Sequence, residues 1–203
     1  MAKGRLFIIS GPSGAGKGTI CTRLLEETEK LFFSVSMTTR KPREGEIEGR
    51  DYYFVSEEKF LEMKAGDGFL ESAYVYQDHY GTPRQMVMEK LDSGNDVVLD
   101  IDIQGAMSIK KVYPDGVFIF ILPPSMAELR ERITGRGTEE NESIEVRMAG
   151  AMKEIAYIHK YDYCVVNGEL EEAVCRVKAI ITAEHSRVSE DIYELIEKYK
   201  EEI

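Results

Sequence analysis

Short apolar runs recur along the chain at 6–10, 33–35, 97–101, 117–121 and 163–166. They are rich in Val, Ile and Phe and nearly continuous in apolar character, the pattern of strands buried on both faces of a parallel sheet. Between them lie stretches with helical spacing of apolar residues, at 18–29, 105–112, 125–134, 170–185 and 189–202. Ser125 and Glu128 stand at capping-box spacing where one of these begins. Ile192, Leu195, Ile196 and Tyr199 recur along the last and predict a helix laid over the core. Strands alternating with helices make an α/β doubly wound domain. Two segments break the alternation. Residues 36–95 carry short alternating runs at 51–55 and 69–76 and predict a small inserted subdomain of mixed strands and helices. Residues 135–141 are rich in Gly and Glu, are flanked by Arg132, Arg136 and Arg147, and predict a mobile flap.

The junction after the first strand carries the sharpest chemistry. Gly11, Pro12, Ser13, Gly14, Ala15, Gly16, Lys17, Gly18 and Thr19 follow the apolar run directly. Glycines let the backbone curl so that several N–H groups point at one anion. Lys17 adds a mobile positive charge, and the helix that follows turns its positive dipole end to the same place. This is a P-loop, and it names a nucleotide polyphosphate as the ligand class. It departs from the general pattern at one position: Gly18 stands where a Ser or Thr hydroxyl normally sits near Mg²⁺, and Thr19 comes one residue later. Direct coordination by Thr19 is therefore in doubt, and phosphates and waters can hold the metal instead.

Composition narrows the setting. The 203 residues suit one domain with insertions; 43% are apolar and 31% charged, as in ordinary globular proteins. A net charge of −11 disfavours general nucleic-acid binding. No apolar stretch approaches the length of a membrane span. Met1 to Gly4 lead straight into the first strand and leave no room for a signal peptide. Cys21, Cys164 and Cys175 show neither metal spacing nor a disulfide framework, which predicts a reducing cytoplasm. Within this acidic chain the arginines cluster, with Arg40, Arg43 and Arg50 in one segment and Arg130, Arg132, Arg136 and Arg147 in another. Such clusters suggest local anion sites; solvated helix faces are the alternative, preferred for Arg130.

Asp100 and Asp102 lie two apart at the end of a buried strand, so both side chains leave one face, where open α/β folds gather ligands. Arg40 and Arg43 are planar donors suited to gripping a phosphate, or else an exposed basic turn. Glu71 taken alone is a surface residue at a strand end, and Asp102 taken alone can be a helix cap.

The segments Gly11 to Thr19, Ser34-Val-Ser36-Met-Thr-Thr-Arg40-Lys-Pro-Arg43-Glu-Gly, Gly49-Arg-Asp-Tyr52-Tyr-Phe, Phe69-Leu-Glu71, Tyr80-Gly-Thr82, Asp100-Ile-Asp102-Ile-Gln104-Gly105 and Gly135-Arg136-Gly together resemble the guanylate kinases, over nearly the whole chain and in the same order. The resemblance implies a three-layer P-loop NTPase fold with a central parallel sheet, an inserted mixed α/β GMP-binding subdomain and a short lid. It divides the chain into a core (1–35, 96–131, 148–203), an insertion (36–95) and a lid (132–147). It implies phosphoryl transfer from ATP to GMP with Mg²⁺, a monomer or weak homo-oligomer, and no nucleic-acid or membrane partner. Arg40, Arg43, Tyr52 and Tyr80 are then expected on the GMP phosphate. Glu71 is expected on guanine N1–H and NH₂, Ser36 and Thr82 on O6, and Asp102 on the ribose or base. Asp100 is expected at the metal, through water. Lys17, Arg132, Arg136 and Arg147 are expected to neutralise the transferring phosphoryl group, and Asn167 to lie near adenine.

Three other readings meet resistance in the residues. A kinase for a sugar phosphate has no use for Glu71, Ser36 and Thr82 as a base reader. A non-catalytic phosphopeptide module usually loses the P-loop lysine, and Lys17 is intact. A GTP-hydrolysing switch needs an Asn-Lys-x-Asp stretch, and the chain has none.

Overall fold

The computed structural model describes residues 3–202 apart from Glu44, Tyr76, 136–140 and Ser189; the side chains at 141–143, 190, 191 and 194 also lie outside the description. Its centre is a five-stranded parallel sheet in the order β2-β7-β1-β8-β9. The strands are β1 (Leu6–Ser10), β2 (Leu31–Phe33), β7 (Asp96–Asp100), β8 (Val117–Leu122) and β9 (Tyr163–Val166). Alternation within β1 explains the layers. Phe7 and Ile9 face a cluster built by Ile20, Cys21 and Leu24 of α1 (Lys17–Glu27) and by Val174, Val177 and Ile181 of α7 (Leu170–His185). Leu6 and Ile8 face the other side, against Val87 and Leu91 of α3 (Arg84–Asp92) and Ala106 and Ile109 of α4 (Ile103–Val112). The central strands β7, β1 and β8 are thus covered on both faces, which is why their sequences lack polar alternation, while the edge strands β2 and β9 leave Phe32, Cys164 and Val166 exposed.

A second sheet, ordered β4-β3-β6-β5, lies wholly within the inserted segment. It comprises β3 (Met37–Thr38), β4 (Tyr53–Phe54), β5 (Phe69–Val75) and β6 (Asp78–Pro83), with α2 (Glu57–Ala65) laid against it. Phe60 of α2 stacks on Phe69 with ring centroids 4.5 Å apart. A third apolar cluster joins Leu129 and Ile133 of α5 (Met126–Thr134) to Ile144, Met148 and Ala151 of α6 (Asn141–Ile155).

Several expected boundaries move. The second strand begins at Leu31, two residues before the expected start, because Lys30 takes a left-handed backbone (φ 60°) and turns Leu31 into the core. Helix α4 begins at Ile103 because the Asp102 carboxylate caps it, accepting from Gly105 N at 2.7 Å. Helix α6 was expected only as a neighbour of the flap, yet it runs from Asn141, the last residue assigned to that flap. The centre of the flap, 136–140, lies outside the described residues. Helix α8 (Glu190–Glu201) forms, but Ile192, Leu195, Ile196 and Tyr199 remain 41–51% exposed. These residues belong to none of the three buried clusters among the described residues, so the helix does not cover the core as expected. Among the described residues no helix is long and apolar enough to cross a membrane.

A Cβ added at Gly81, in the middle of β6, would meet the Phe69 ring at 2.8 Å and Phe60 Cζ at 3.0 Å. Gly81→Ala is expected to destabilise the insertion by about 1–3 kcal/mol. A lowered urea midpoint with an unchanged slope would record it; an unchanged midpoint would show that the two rings can part.

Candidate active site

All the chemistry-bearing loops leave the carboxyl edge of the parallel sheet. Residues 11–16 connect β1 to α1. Gly11 has φ 147°, and a Cβ there would lie 2.2 Å from the Ile121 carbonyl oxygen. Gly16 has φ 90° and its missing Cβ leaves room for the Asn167 amide. Only glycine fits either position. Asn167 follows β9, is buried, and donates from Nδ2 to the Ala15 carbonyl at 2.8 Å. The loop is therefore pinned from the far edge of the sheet. Lys17 Nζ folds over the loop and donates to the carbonyls of Gly11 (2.8 Å) and Pro12 (3.3 Å).

Two arginines converge on this loop. Arg132 of α5 donates from Nη2 to the Asn167 carbonyl at 3.0 Å, while its Nε holds Glu128 at 3.1 Å. Arg147 of α6 donates from Nη2 to Ser13 Oγ at 2.6 Å. Asp100 ends β7 and turns its carboxylate toward the first turn of α1, with Oδ2 3.6 Å from where a Gly18 Cβ would stand. The departure at Gly18 thus faces a carboxylate directly. Thr19 is exposed.

The inserted sheet carries the second half of the site. Glu71 of β5 is 7% exposed and accepts from the hydroxyl of Thr82 of β6 at 2.8 Å. Burial, joined by the nearby Asp102 charge and opposed by the Thr82 bonds, pushes its carboxyl up to about 7. Its other oxygen packs against the start of α4: a Cβ on Gly105 would lie 3.0 Å from Glu71 Oε2 and 3.3 Å from Asp102 Oδ1. The Tyr52 and Tyr80 rings meet edge to face at 5.9 Å. Arg40 lies over Tyr52 at 5.3 Å and donates from Nε to Tyr80 Oη at 3.3 Å. Burial first, then the charge of Asp100, push the Tyr52 phenol up, which ties the insertion electrostatically to the end of β7. Ser36 lends its carbonyl to Tyr53 N at 2.9 Å, at the edge of the same sheet.

The fold is shared with known proteins. Residues 3–184 match the guanylate kinase family. The chain belongs to that family. It is 54% identical over 193 residues to a guanylate kinase of Caldanaerobacter subterraneus subsp. tengcongensis, covering 94% of both chains. It is 55% identical over 188 residues to a guanylate kinase of Clostridium tetani, covering 93% of this chain and 90% of that one. Among solved structures it superposes on a guanylate kinase from Anaplasma phagocytophilum with a TM-score of 0.78 at 37% identity, over 92% of this chain and 89% of that one.

As a guanylate kinase family member, the chain brings most of the residues singled out in its sequence into two neighbouring groups: the phosphate loop with Asp100, Arg132 and Arg147, and the inserted sheet with Glu71 and Thr82. Asp102 sits at their junction, and there it is also the helix cap that its sequence left open. Arg136 lies outside the described residues. Asn167, expected near adenine, spends its amide on the loop itself. Glu154 of α6 was missed. It is half-buried, its carboxyl is pushed up by burial, and Lys17 and the Ser13 N–H partly offset that. No motif marks it, since the helix that carries it was not foreseen. Glu46 was missed as well; it follows the Arg40 to Gly45 run directly but reads there as one more acidic residue of a turn.

The raised carboxyl of Glu71 has two signed consequences. A base-reading carboxylate must be ionised, so the ratio of kcat/KM for GMP to that for AMP should fall as pH drops through about 7. Both acceptors share the same phosphate titration, so the ratio isolates Glu71. The folded-state value lies above the ordinary 4.5, so stability linked to this group is complete below pH 4.5 and lost as pH rises through about 7. Glu71→Gln should therefore gain about 1–3 kcal/mol over the parent at pH 8 and little at pH 5. A selectivity ratio flat from pH 5.5 to 8.5 would contradict this account.

Proposed function

We propose that the chain transfers the γ-phosphoryl group of ATP to GMP, giving ADP and GDP, with ATP at the phosphate loop and GMP on the inserted sheet. The observation that carries the acceptor assignment is the buried Glu71–Thr82 pair. A carboxylate only accepts hydrogen bonds, and guanine offers N1–H and NH₂ side by side. Adenine presents an acceptor at N1 and would leave the buried carboxylate unmatched, a mismatch that separates close analogues strongly. Ser36 has a hydroxyl to offer O6, Thr82 can donate to O6 only by releasing its bond to Glu71, and Asp102 adjoins the same pocket. Arg40, Arg43, Tyr52 and Tyr80 face the acceptor phosphate. A sugar-phosphate acceptor would leave Glu71 without a use.

The chemistry asks little covalent work of the protein. An oxygen of the GMP phosphate attacks the γ-phosphorus, and the bond from that phosphorus to the β–γ bridging oxygen breaks. The attacking oxygen is already ionised at neutral pH, so no general base is needed. Catalysis is positioning and electrostatic stabilisation. Lys17 leaves the Gly11 and Pro12 carbonyls for the β- and γ-phosphates, and the loop N–H groups cradle them. Arg132 and Arg147, already on the loop, neutralise charge on the moving group; Arg136, outside the described residues, is assigned the same work. Mg²⁺ fits the donor set: Asp100 offers a hard carboxylate oxygen opposite Gly18, directly or through water, and phosphates and waters complete the shell. When bound it would neutralise charge on the ATP phosphates. ATP and GMP belong in one site that excludes water, which requires the insertion and the flap expected at 135–141, whose centre lies outside the described residues, to close toward the loop.

A coupled ADP-release assay tests the proposal. GMP should be phosphorylated far faster than AMP, UMP or a ribose bisphosphate. Lys17→Ala should lower the rate by roughly a hundredfold or more while leaving the unfolding midpoint unchanged. Parental turnover in that variant would remove the assigned ATP site.

A further inference from the structure

Arg40 carries five N–H donors, and within the protein it has already committed most of them. Its Nε donates to Tyr80 Oη at 3.3 Å. One Nη1 hydrogen goes to the Lys41 carbonyl at 2.8 Å and the other to Glu46 Oε2 at 3.0 Å. One Nη2 hydrogen goes to Glu46 Oε1 at 2.8 Å. A single N–H, on Nη2, is left over among these contacts. The guanidinium is also hemmed in by the rings of Tyr52 and Phe54, at 5.3 and 5.9 Å. Both side chains of the Arg40–Glu46 pair are largely covered, at 14% and 19% exposure.

Glu46 does more than pair with Arg40. Its Oε2 also accepts from the backbone N–H of Arg43 at 2.7 Å, and its own N–H closes a turn onto the Arg43 carbonyl at 3.1 Å. One carboxylate thus holds the side chain of the first arginine and the backbone of the second. The Arg43 side chain is left exposed, with no hydrogen bond of its own among the described residues. Tyr80 accepts from Arg40 through its oxygen, so its proton is free to point elsewhere.

We infer that Glu46 is a positioning residue for the acceptor phosphate: it fixes Arg40 as a brace, and leaves the Arg43 guanidinium, the tyrosine hydroxyls and one Arg40 N–H to grip GMP. This rests on the reading of Arg40, Arg43, Tyr52 and Tyr80 as the phosphate end of the GMP site. The rival is that Glu46 is a stand-in anion that the phosphate must displace. Displacement would break three charge-assisted bonds and leave a carboxylate beside a dianion, whereas the brace keeps all of them. Preset donors also spare GMP the ordering of a long arginine side chain as it binds.

The two models predict opposite signs. Removing a negative charge near a dianion favours binding if Glu46 is a competitor. It weakens binding if Glu46 is a brace, because the arginines lose their geometry. Initial rates with GMP and ATP each varied, for the parent, Glu46→Gln, Glu46→Asp and Arg43→Met, separate them. Glu46→Gln should raise KM for GMP by about tenfold or more, with KM for ATP and kcat at saturating GMP within about twofold of the parent. Glu46→Asp keeps the charge on a shorter stem and should recover part of the loss; it also serves if Glu46→Gln folds poorly, as judged by its unfolding midpoint. A KM for GMP unchanged or lowered in Glu46→Gln, while Arg43→Met raises it, would overturn the brace. If Arg43→Met also left KM for GMP unchanged, the acceptor-phosphate reading itself would fall, and the inference with it.

Discussion

The buried carboxylate of Glu71 is the constraint around which the inserted sheet and its junction with the core are arranged. It lies on the inserted sheet, is held by the hydroxyl of Thr82 on the adjacent strand, and presses its second oxygen against the start of α4. That helix starts where it does because Asp102 caps it through Gly105 N, and Gly105 has no side chain to collide with the glutamate. One contact therefore joins the insertion to the parallel-sheet core, at the place where the core presents its own carboxylates. The arrangement is unfavourable for the empty protein, since burial opposes ionisation of Glu71. A ligand with two adjacent N–H donors relieves what the fold imposes, and guanine supplies that pair.

The donor half is built on the opposite principle. Nearly every group there already has a partner. Asn167 pins Ala15, Arg132 holds the Asn167 carbonyl, Arg147 reaches Ser13, and Lys17 rests on two loop carbonyls. These contacts keep cationic groups beside the loop before any nucleotide arrives. In the proposed function phosphates replace carbonyl and hydroxyl partners with charged ones, a gain that does not require reorganising the loop. The two halves differ because they do different work. In the proposed function a base reader must reject wrong ligands, while a phosphate loop must stabilise charge that is always present in its substrate.

Much of this was legible along the chain. The parallel sheet showed itself in apolar runs without alternation, and the phosphate loop in glycines set between such a run and a helix. Glu71, the proposed base reader, stands out only through the company it keeps: alone, Phe69-Leu-Glu71 reads as a strand end, and nothing local announces that Thr82, eleven residues on, will face it. What stayed hidden depended on tertiary packing. Helix α6 carries Gly150 and several charges, and its apolar face becomes evident only against Leu129 and Ile133 of α5. The pattern of α8 was read correctly as a helix and wrongly as a cover, because periodicity reports a face and not what lies opposite it. Glu46 was invisible because its contacts lie in geometry, where one carboxylate bridges a side chain six residues away and a backbone three residues away.

The most direct measurement is the titration of Glu71 itself, followed by carbon-13 NMR of its side-chain carboxyl and assigned by the loss of the signal in Glu71→Gln. In the empty protein the midpoint should lie near 7. Saturating GMP should lower it by at least about one pH unit, because hydrogen bonds from N1–H and NH₂ favour the ionised form, and AMP should leave it in place. A midpoint that stays near 7 with GMP bound would contradict the claim that this carboxylate reads the base.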